Sequence, residues 1–510
     1  MRPDRRKFIQ RSLYAGLGGV SAFSALGNLK LLQAATSVTN SYSFGDYKAL
    51  ICVFLYGGND GFNMVVPVSN GLGTARTDYQ NIRSVLALPT AGLHTLTAPT
   101  GNNFGSPGDG SIYGLHAGMP ELATVFNAGH AAVIANVGTL IGPVSKDQFM
   151  NGNPALPPQL FSHSDQSAYW QSSPPSNSPI SGWGGRICDL LASANPAGIP
   201  NLSSLNGEDI FIRGQNVNGY IMDSDSASTF QVPYDQYGAG TGMQAAFNAL
   251  KAQGSQSNVL ERTYAGTMNH SIATAGIINT ALAAARPVGP ASAGHSAGDP
   301  FNSIFKSYFP GATGSDIDTQ LQTIAELIWA ANNNVPGYTG LKRQVFFVTT
   351  GGYDTHSNEL AQHAGANGDL GLLPLLSKSL SGFYNALNSV GLASKATAFT
   401  ASDFGRSLSA NSGGTDHGWA SHHLVVGGAV NGNKFYGDSL TGNGLAQMPS
   451  LLPSDSNPND GGYGQMIPTT SIDQYTATLA KWFGLSDGDI DLILPNLGPN
   501  FSHRDLGFLS

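Results

Sequence analysis

Charge is scarce in this chain. Only 11% of its 510 residues are Asp, Glu, Lys or Arg, less than half of the roughly 25% usual in soluble domains, and Gly, Ser, Asn and Thr supply the polar surface instead. No basic cluster follows the first residues and the formal net charge is -8, so the electrostatic footprint of a nucleic-acid binder is missing. Cysteine is nearly absent. With only Cys52 and Cys188 no disulfide framework can hold the fold, and buried free thiols are the expectation. A membrane-spanning run is lacking too: the apolar stretch from Ser12 to Leu26 is broken by Gly16, Gly18, Gly19 and Ser21 and falls short of the roughly 20 apolar residues a spanning helix needs.

What the first residues do contain is Asp4-Arg5-Arg6-Lys7-Phe8-Ile9-Gln10, a basic pair followed by an aromatic and an aliphatic residue, then the apolar stretch, then small residues at Ala34 and Ala35. That order is the order of a twin-arginine export signal, with residues 1–35 removed from the mature protein. The twin-arginine translocase is the implied partner during export, and the periplasm or the exterior the implied destination. The route often serves proteins that fold around a metal or cofactor before crossing, which directs attention to metal ligands in residues 36–510.

Five short runs are apolar throughout rather than alternating, as strands buried on both faces are: Ala49 to Leu55, Ala131 to Ala135, Gln344 to Val348, Ala396 to Thr400 and Leu424 to Val426. Helical patterns lie between them, at Met119 to Phe126, Ile317 to Ala331, Leu372 to Val390 and Asp473 to Phe483. Strands alternating with helices imply an α/β fold, a three-layer sandwich with a mostly parallel sheet covered on both faces. Between about 190 and 340 the pattern weakens into Gly, Ser and Asn tracts such as 238–241 and 287–298, and this span is read as an irregular insertion or cap.

In an open parallel sheet, ligands bind beyond the carboxyl ends of the strands. After the first run stands Tyr56-Gly57-Gly58-Asn59-Asp60, after the third Gly351-Gly352-Tyr353-Asp354-Thr355-His356, and after the fourth Ser402-Asp403-Phe404-Gly405-Arg406. The loop before the fifth reads Gly414-Thr415-Asp416-His417-Gly418, with His422 and His423 behind it. Taken singly, Asp60 reads as a turn former and Asp403 as a helix N-cap. Together, Asp60, Asp354, His356, Asp403, Asp416 and His417 form a ligand set for a divalent metal, zinc foremost, with manganese, calcium and magnesium compatible. A second group, Phe161-Ser162-His163-Ser164-Asp165-Gln166 and Trp183-Gly184-Gly185-Arg186, offers His163 as a ligand or proton donor. Arg186 and Arg406 are the candidates for gripping an oxyanion. Ser162 has no elbow motif to mark it as a nucleophile.

These motifs, with Ile467-Pro468-Thr469-Thr470 and Lys481-Trp482-Phe483, resemble the DUF1501 family, twin-arginine-exported bacterial proteins placed among relatives of alkaline phosphatases and sulfatases. The resemblance implies an alkaline phosphatase-like fold and a metal-dependent hydrolase of a phosphate or sulfate ester, on a small-molecule or polymer substrate. It also admits a catalytically silent binding or envelope-assembly protein that keeps a structural metal site. In the wider superfamily two ions are bound by an Asp after the first strand, an Asp/His cluster, an adjacent Asp-His pair and a late His. Asp60, Asp354 with His356, and His417 resemble three of these. Asp403 falls at the pair, but Phe404 stands where its histidine is expected, which puts the second ion in doubt, and no Ser or Thr matches the nucleophile.

Overall fold

In the computed structural model of the protein, the described residues are 42–100, 103–152, 154–175, 179–228, 240–252, 258–287, 298–312, 316–366, 370–438 and 448–510. The twin-arginine segment and most of the Gly-rich tracts at 238–241 and 287–298 lie outside them. The strands are β1 (Lys48–Leu55), β2 (Val65–Pro67), β3 (His94–Thr95), β4 (Tyr113–Leu115), β5 (Ala131–Gly138), β6 (Leu202–Ser204) and β7 (Tyr220–Ile221). They continue with β8 (Arg343–Thr350), β9 (Ala396–Ser402), β10 (Arg406–Ala410), β11 (Thr415–His417), β12 (Ser421–Gly427), β13 (Lys434–Tyr436) and β14 (Thr470–Ser471). Nine of them form one sheet in the order β13-β5-β12-β9-β1-β8-β6-β7, with β14 beside β5. All five apolar runs of the sequence fall in it.

One direction differs from expectation. β1 runs parallel to β8 and β9, β6 to β7 and β8, and β13 and β14 to β5, but β12 is antiparallel to both its neighbours, β5 and β9. The sheet is therefore mixed, mostly parallel with β12 reversed. The reversal has a functional consequence: the loop preceding β12 lies at the edge where β1, β8 and β9 end. A parallel strand would have carried that loop to the opposite edge.

Period-two alternation sorts the buried strand residues onto two faces. Ala49, Ile51, Val53 and Leu55 pack with Val133 and Phe346 against the helices Pro120–Asn127, Val259–Ala285, Ile317–Asn332 and Leu372–Ser389. Leu50, Cys52, Phe54, Ile134 and Phe347 face the helices His163–Ser172, Trp183–Leu190, Ile472–Phe483 and Asp487–Ile493. The result is a three-layer α/β sandwich. Each fully buried Leu, Ile, Val or Phe contributes roughly 1.5–3 kcal/mol, and both thiols belong to this apolar interior, free and buried. Within 190–340, β6 and β7 join the sheet edge beside β8. Among the described residues no helix is long and apolar enough to cross a membrane.

Candidate metal centre

At the edge where β1, β8 and β9 end, four segments converge. The helix His163–Ser172 presents its first residue; the loop after β8 brings Asp354 and His356; the turn after β9 brings Asp403; and β11, paired to β10 with Arg406 opposite His417, brings Asp416 and His417. The His163 Nε2 lies 3.1 Å from the His417 Nε2, which lies 3.0 Å from the His356 Nε2. The carboxylate of Asp354 is 3.5 Å from the His163 Nε2, 3.0 Å from that of His356 and 3.4 Å from that of His417.

Protons decide what these contacts mean. The Nδ1 of His417 is 2.8 Å from the Phe161 carbonyl oxygen, which can only accept, so Nδ1 carries the hydrogen and Nε2 a lone pair. The Nδ1 of His163 donates to Asp403 Oδ2 at 2.7 Å, and that of His356 to Asp416 Oδ1 at 3.3 Å. With Nδ1 so occupied, Nε2 is the atom each ring has left for a cation, and those of His163 and His356 both face that of His417. Two such lone pairs 3.1 Å apart repel unless a cation lies between them, a proton or a metal. The ligand atoms of His163, Asp354 and His417 lie 3.1–3.5 Å apart, close to the edge of about 3.3 Å in a tetrahedron with bonds of about 2.0–2.1 Å, the zinc–nitrogen length, while His356 stands at the rim beside His417 and Asp354. Tying the outer nitrogen of each ligand histidine to an oxygen is also how proteins orient such rings.

The Asp403 hydrogen bond raises the pKa of His163 despite partial burial, so a proton competes with a metal at its Nε2, whereas burial lowers the pKa of His417. Burial pushes Asp354 up, but the hydrogen bond and charge of Arg406 outweigh it and leave the carboxyl below its usual value. Phe404, standing where a histidine was expected, packs its ring 4.7 Å from that of His163 and 4.8 Å from that of His417. It walls the site instead of supplying a ligand.

The other candidates are placed as follows. Asp403 is buried and accepts from His163 and from the Gly57 amide at 3.1 Å, so it orients a ligand. Asp416 does the same for His356. Asp60 does not join the group: its Oδ1 accepts from the amides of Phe62 and Asn63 at 3.0 and 3.3 Å, and its Oδ2 pairs with Arg83. Arg406 is buried and spent on Asp354, the Gly57 carbonyl and both oxygens of Thr415, which leaves none of its nitrogens free to grip an oxyanion. Arg186 gives its nitrogens to the carbonyls of Ser172, Ser173, Ser181 and Ile493 and the Ser181 hydroxyl, at the far end of the helix from His163. His422 and His423 are fully buried, their Nδ1 atoms bonded to the Asn136 amide and the Thr400 hydroxyl. Ser162 donates to Asp165 Oδ2 at 2.5 Å.

Sequence reasoning missed Glu359. Its Oε2 accepts from the hydroxyls of Thr355, at 2.9 Å, and Thr415. These threonines sit between Asp354 and His356 and directly before Asp416, so one buried carboxylate fastens both ligand-bearing segments. No metal-motif spacing marks it.

A family model described as a protein of unknown function, DUF1501, matches residues 339–445. That segment holds Asp354, His356, Asp403, Asp416 and His417. No curated protein matches the chain. Among solved structures, the PsFucS1 sulfatase from Pseudoalteromonas sp. is similar at 9% identity and a TM-score of 0.31, covering 96% of this chain and 75% of that one. The protein Ps i-CgsB, in complex with k-i-k-neocarrahexaose, is similar at 11% identity and a TM-score of 0.26, covering 87% and 74%. Likenesses this low carry no argument about activity.

Proposed function

We propose that this protein belongs to the DUF1501 family, with an alkaline phosphatase-like fold, and is an exported metal-dependent hydrolase of a phosphate or sulfate ester. One divalent ion would be held by His163, Asp354 and His417, with His356 beside them. The observation that carries this reading is the convergence of the Nε2 atoms of His163 and His417 on the carboxylate of Asp354, each imidazole fixed by an oxygen on its other nitrogen. A divalent ion in such a position supplies Lewis acidity and brings the pKa of bound water down to about 7. The chain's residues do the rest: Asp403, Asp416 and the Phe161 carbonyl hold the rings, Arg406 restrains Asp354, and Phe404 shields one side from water. Asp354 and His356 are 43% and 46% exposed at their side chains, which leaves a face open to an ester.

A second reading is favoured by a specific observation. Both arginines that could have gripped an oxyanion are consumed within the protein. A silent extracytoplasmic binding or envelope-assembly protein would need nothing more.

Metal analysis of the purified protein together with a chromogenic panel of phosphate and sulfate esters separates the two. Metal with turnover that disappears in Asp354→Ala and His417→Ala supports the hydrolase; metal without turnover supports the binder; neither metal nor turnover removes both. Export through the twin-arginine translocase belongs to the same proposal and rests on residues 4–35. Replacing Arg5 and Arg6 together by Lys should leave the precursor in the cytoplasm, and normal export of that variant would reject the signal.

A further inference from the structure

Beneath the outer site lies a second group of ionisable side chains with no contact to solvent. Arg83, Asp60 and Glu359 are 0% exposed and His363 1%. Arg83 bridges Asp60 Oδ2 and, at 3.2 Å, Glu359 Oε1, and its other nitrogens go to Asn63 and the carbonyls of Ser407 and Leu408. One guanidinium thus faces two carboxylates. His363 is on the same side of the helix Glu359–Ala364 as Glu359, four residues on, and one ring nitrogen lies within 4.8 Å of an oxygen of each acid. Neither of its ring nitrogens has a hydrogen-bond partner. A buried polar atom left unpaired costs about 1–3 kcal/mol, and a neutral imidazole has both a donor and a lone pair to satisfy.

We propose that Asp60, Glu359 and His363 hold a second divalent cation, sealed inside the protein and distinct from the outer site. The donor set of one imidazole and two carboxylates suits zinc or manganese. The cation satisfies the orphaned lone pair of His363 and the carboxylate that Arg83 leaves unbalanced, while Arg83 fixes the acids from their other side. Glu359 links the two sites through Thr355 and Thr415. The competing occupant is a proton: burial, then the charge of Asp60, push the Glu359 carboxyl up to about 8, and a protonated Glu359 would neutralise the group without any metal.

Metal counting on zinc-loaded protein tests this. Wild type should carry two equivalents, and His417→Ala and His363→Leu one each. EDTA should strip the outer ion quickly and release the inner one only when denaturant unfolds the chain. His363→Leu breaks no hydrogen bond, so with a proton in the site it should leave stability unchanged or raised, whereas with a metal it should lower the melting temperature. Wild-type metal content and undiminished stability in His363→Leu would overturn the proposal. A single equivalent lost in His417→Ala but kept in His363→Leu rejects the inner site alone; the converse rejects the outer one alone. Should the leucine variant not fold, the wild type decides: one equivalent surviving EDTA supports the inner site, and none overturns it.

Discussion

An imidazole nitrogen binds a metal when its partner nitrogen keeps the proton, and here three different acceptors impose that condition, a buried carboxylate on His163, an exposed one on His356 and a backbone carbonyl on His417. Asp403 is the strongest of these because it is charged and 2% exposed. Asp403→Asn keeps an acceptor but removes the charge, and its amide can turn a donor toward His163; metal affinity should fall about 10–100-fold, read by competition with a chromophoric chelator. An unchanged affinity would make Asp403 structural only. A second residue gives a pH signature. His423, packed among Trp170 and Tyr475, has its pKa lowered to about 3 by burial and then by His422. Because the folded value is depressed below the unfolded 6.5, the unfolded state binds the extra proton. The stability contributed by the neutral ring is complete above 6.5 and is lost as pH falls through the window toward 3. Between pH 7 and pH 5 this group alone should cost about 2 kcal/mol. In His423→Phe, where the Thr400 hydroxyl loses the ring but keeps the Leu424 amide, the difference between the two pH values in urea unfolding should shrink by that amount. Equal differences would mean that the ring is protonated when buried.

At the scale of elements, the site is a meeting of turns whose backbones nearly touch. Gly57, at φ +115°, follows β1, and a Cβ there would lie 2.4 Å from the Asp354 amide nitrogen and 2.8 Å from the Tyr353 carbonyl carbon. Those are rigid backbone atoms, and the left-handed region is strained for any side chain. Gly57→Ala should therefore push the loop after β8 outward, lowering metal affinity and folding stability together. A variant with full metal content and wild-type denaturant midpoint would show that the turn adapts. The same crowding explains why the reversed β12 matters. Its direction places β10 and β11 beside the loop after β8, where the Thr415 amide donates to the Thr355 carbonyl at 3.1 Å and Glu359 fastens both threonines.

For the whole molecule, ligands contributed from residue 163 to residue 417 can converge only in the folded chain, so binding and folding are linked. Ions present at about 1,000 times the dissociation constant add roughly 4 kcal/mol per site. Removing the outer ion with EDTA should lower the melting temperature in calorimetry, and zinc should restore it; an unmoved transition would uncouple the histidine cluster from any metal. Much of this architecture was legible beforehand. Five continuous apolar runs mark the strands because burial on both faces erases alternation, and the acids and histidines after them mark the edge because chemistry in such sheets gathers where strands end. Asp354, His356 and His417, picked out in this way, lie together at that edge. Asp60 was misplaced among them because a carboxylate after a strand looks the same in sequence whether it points out to a ligand or turns inward to an arginine 23 residues later. Composition, strand identity and the candidate donors are local properties, fixed by which side chains follow which. The reversal of β12, the spending of Arg186 and Arg406 inside the protein, and the burial of Glu359 against Arg83 were decided only in three dimensions, because hydrogen bonds and burial depend on neighbours that the chain brings together after hundreds of intervening residues.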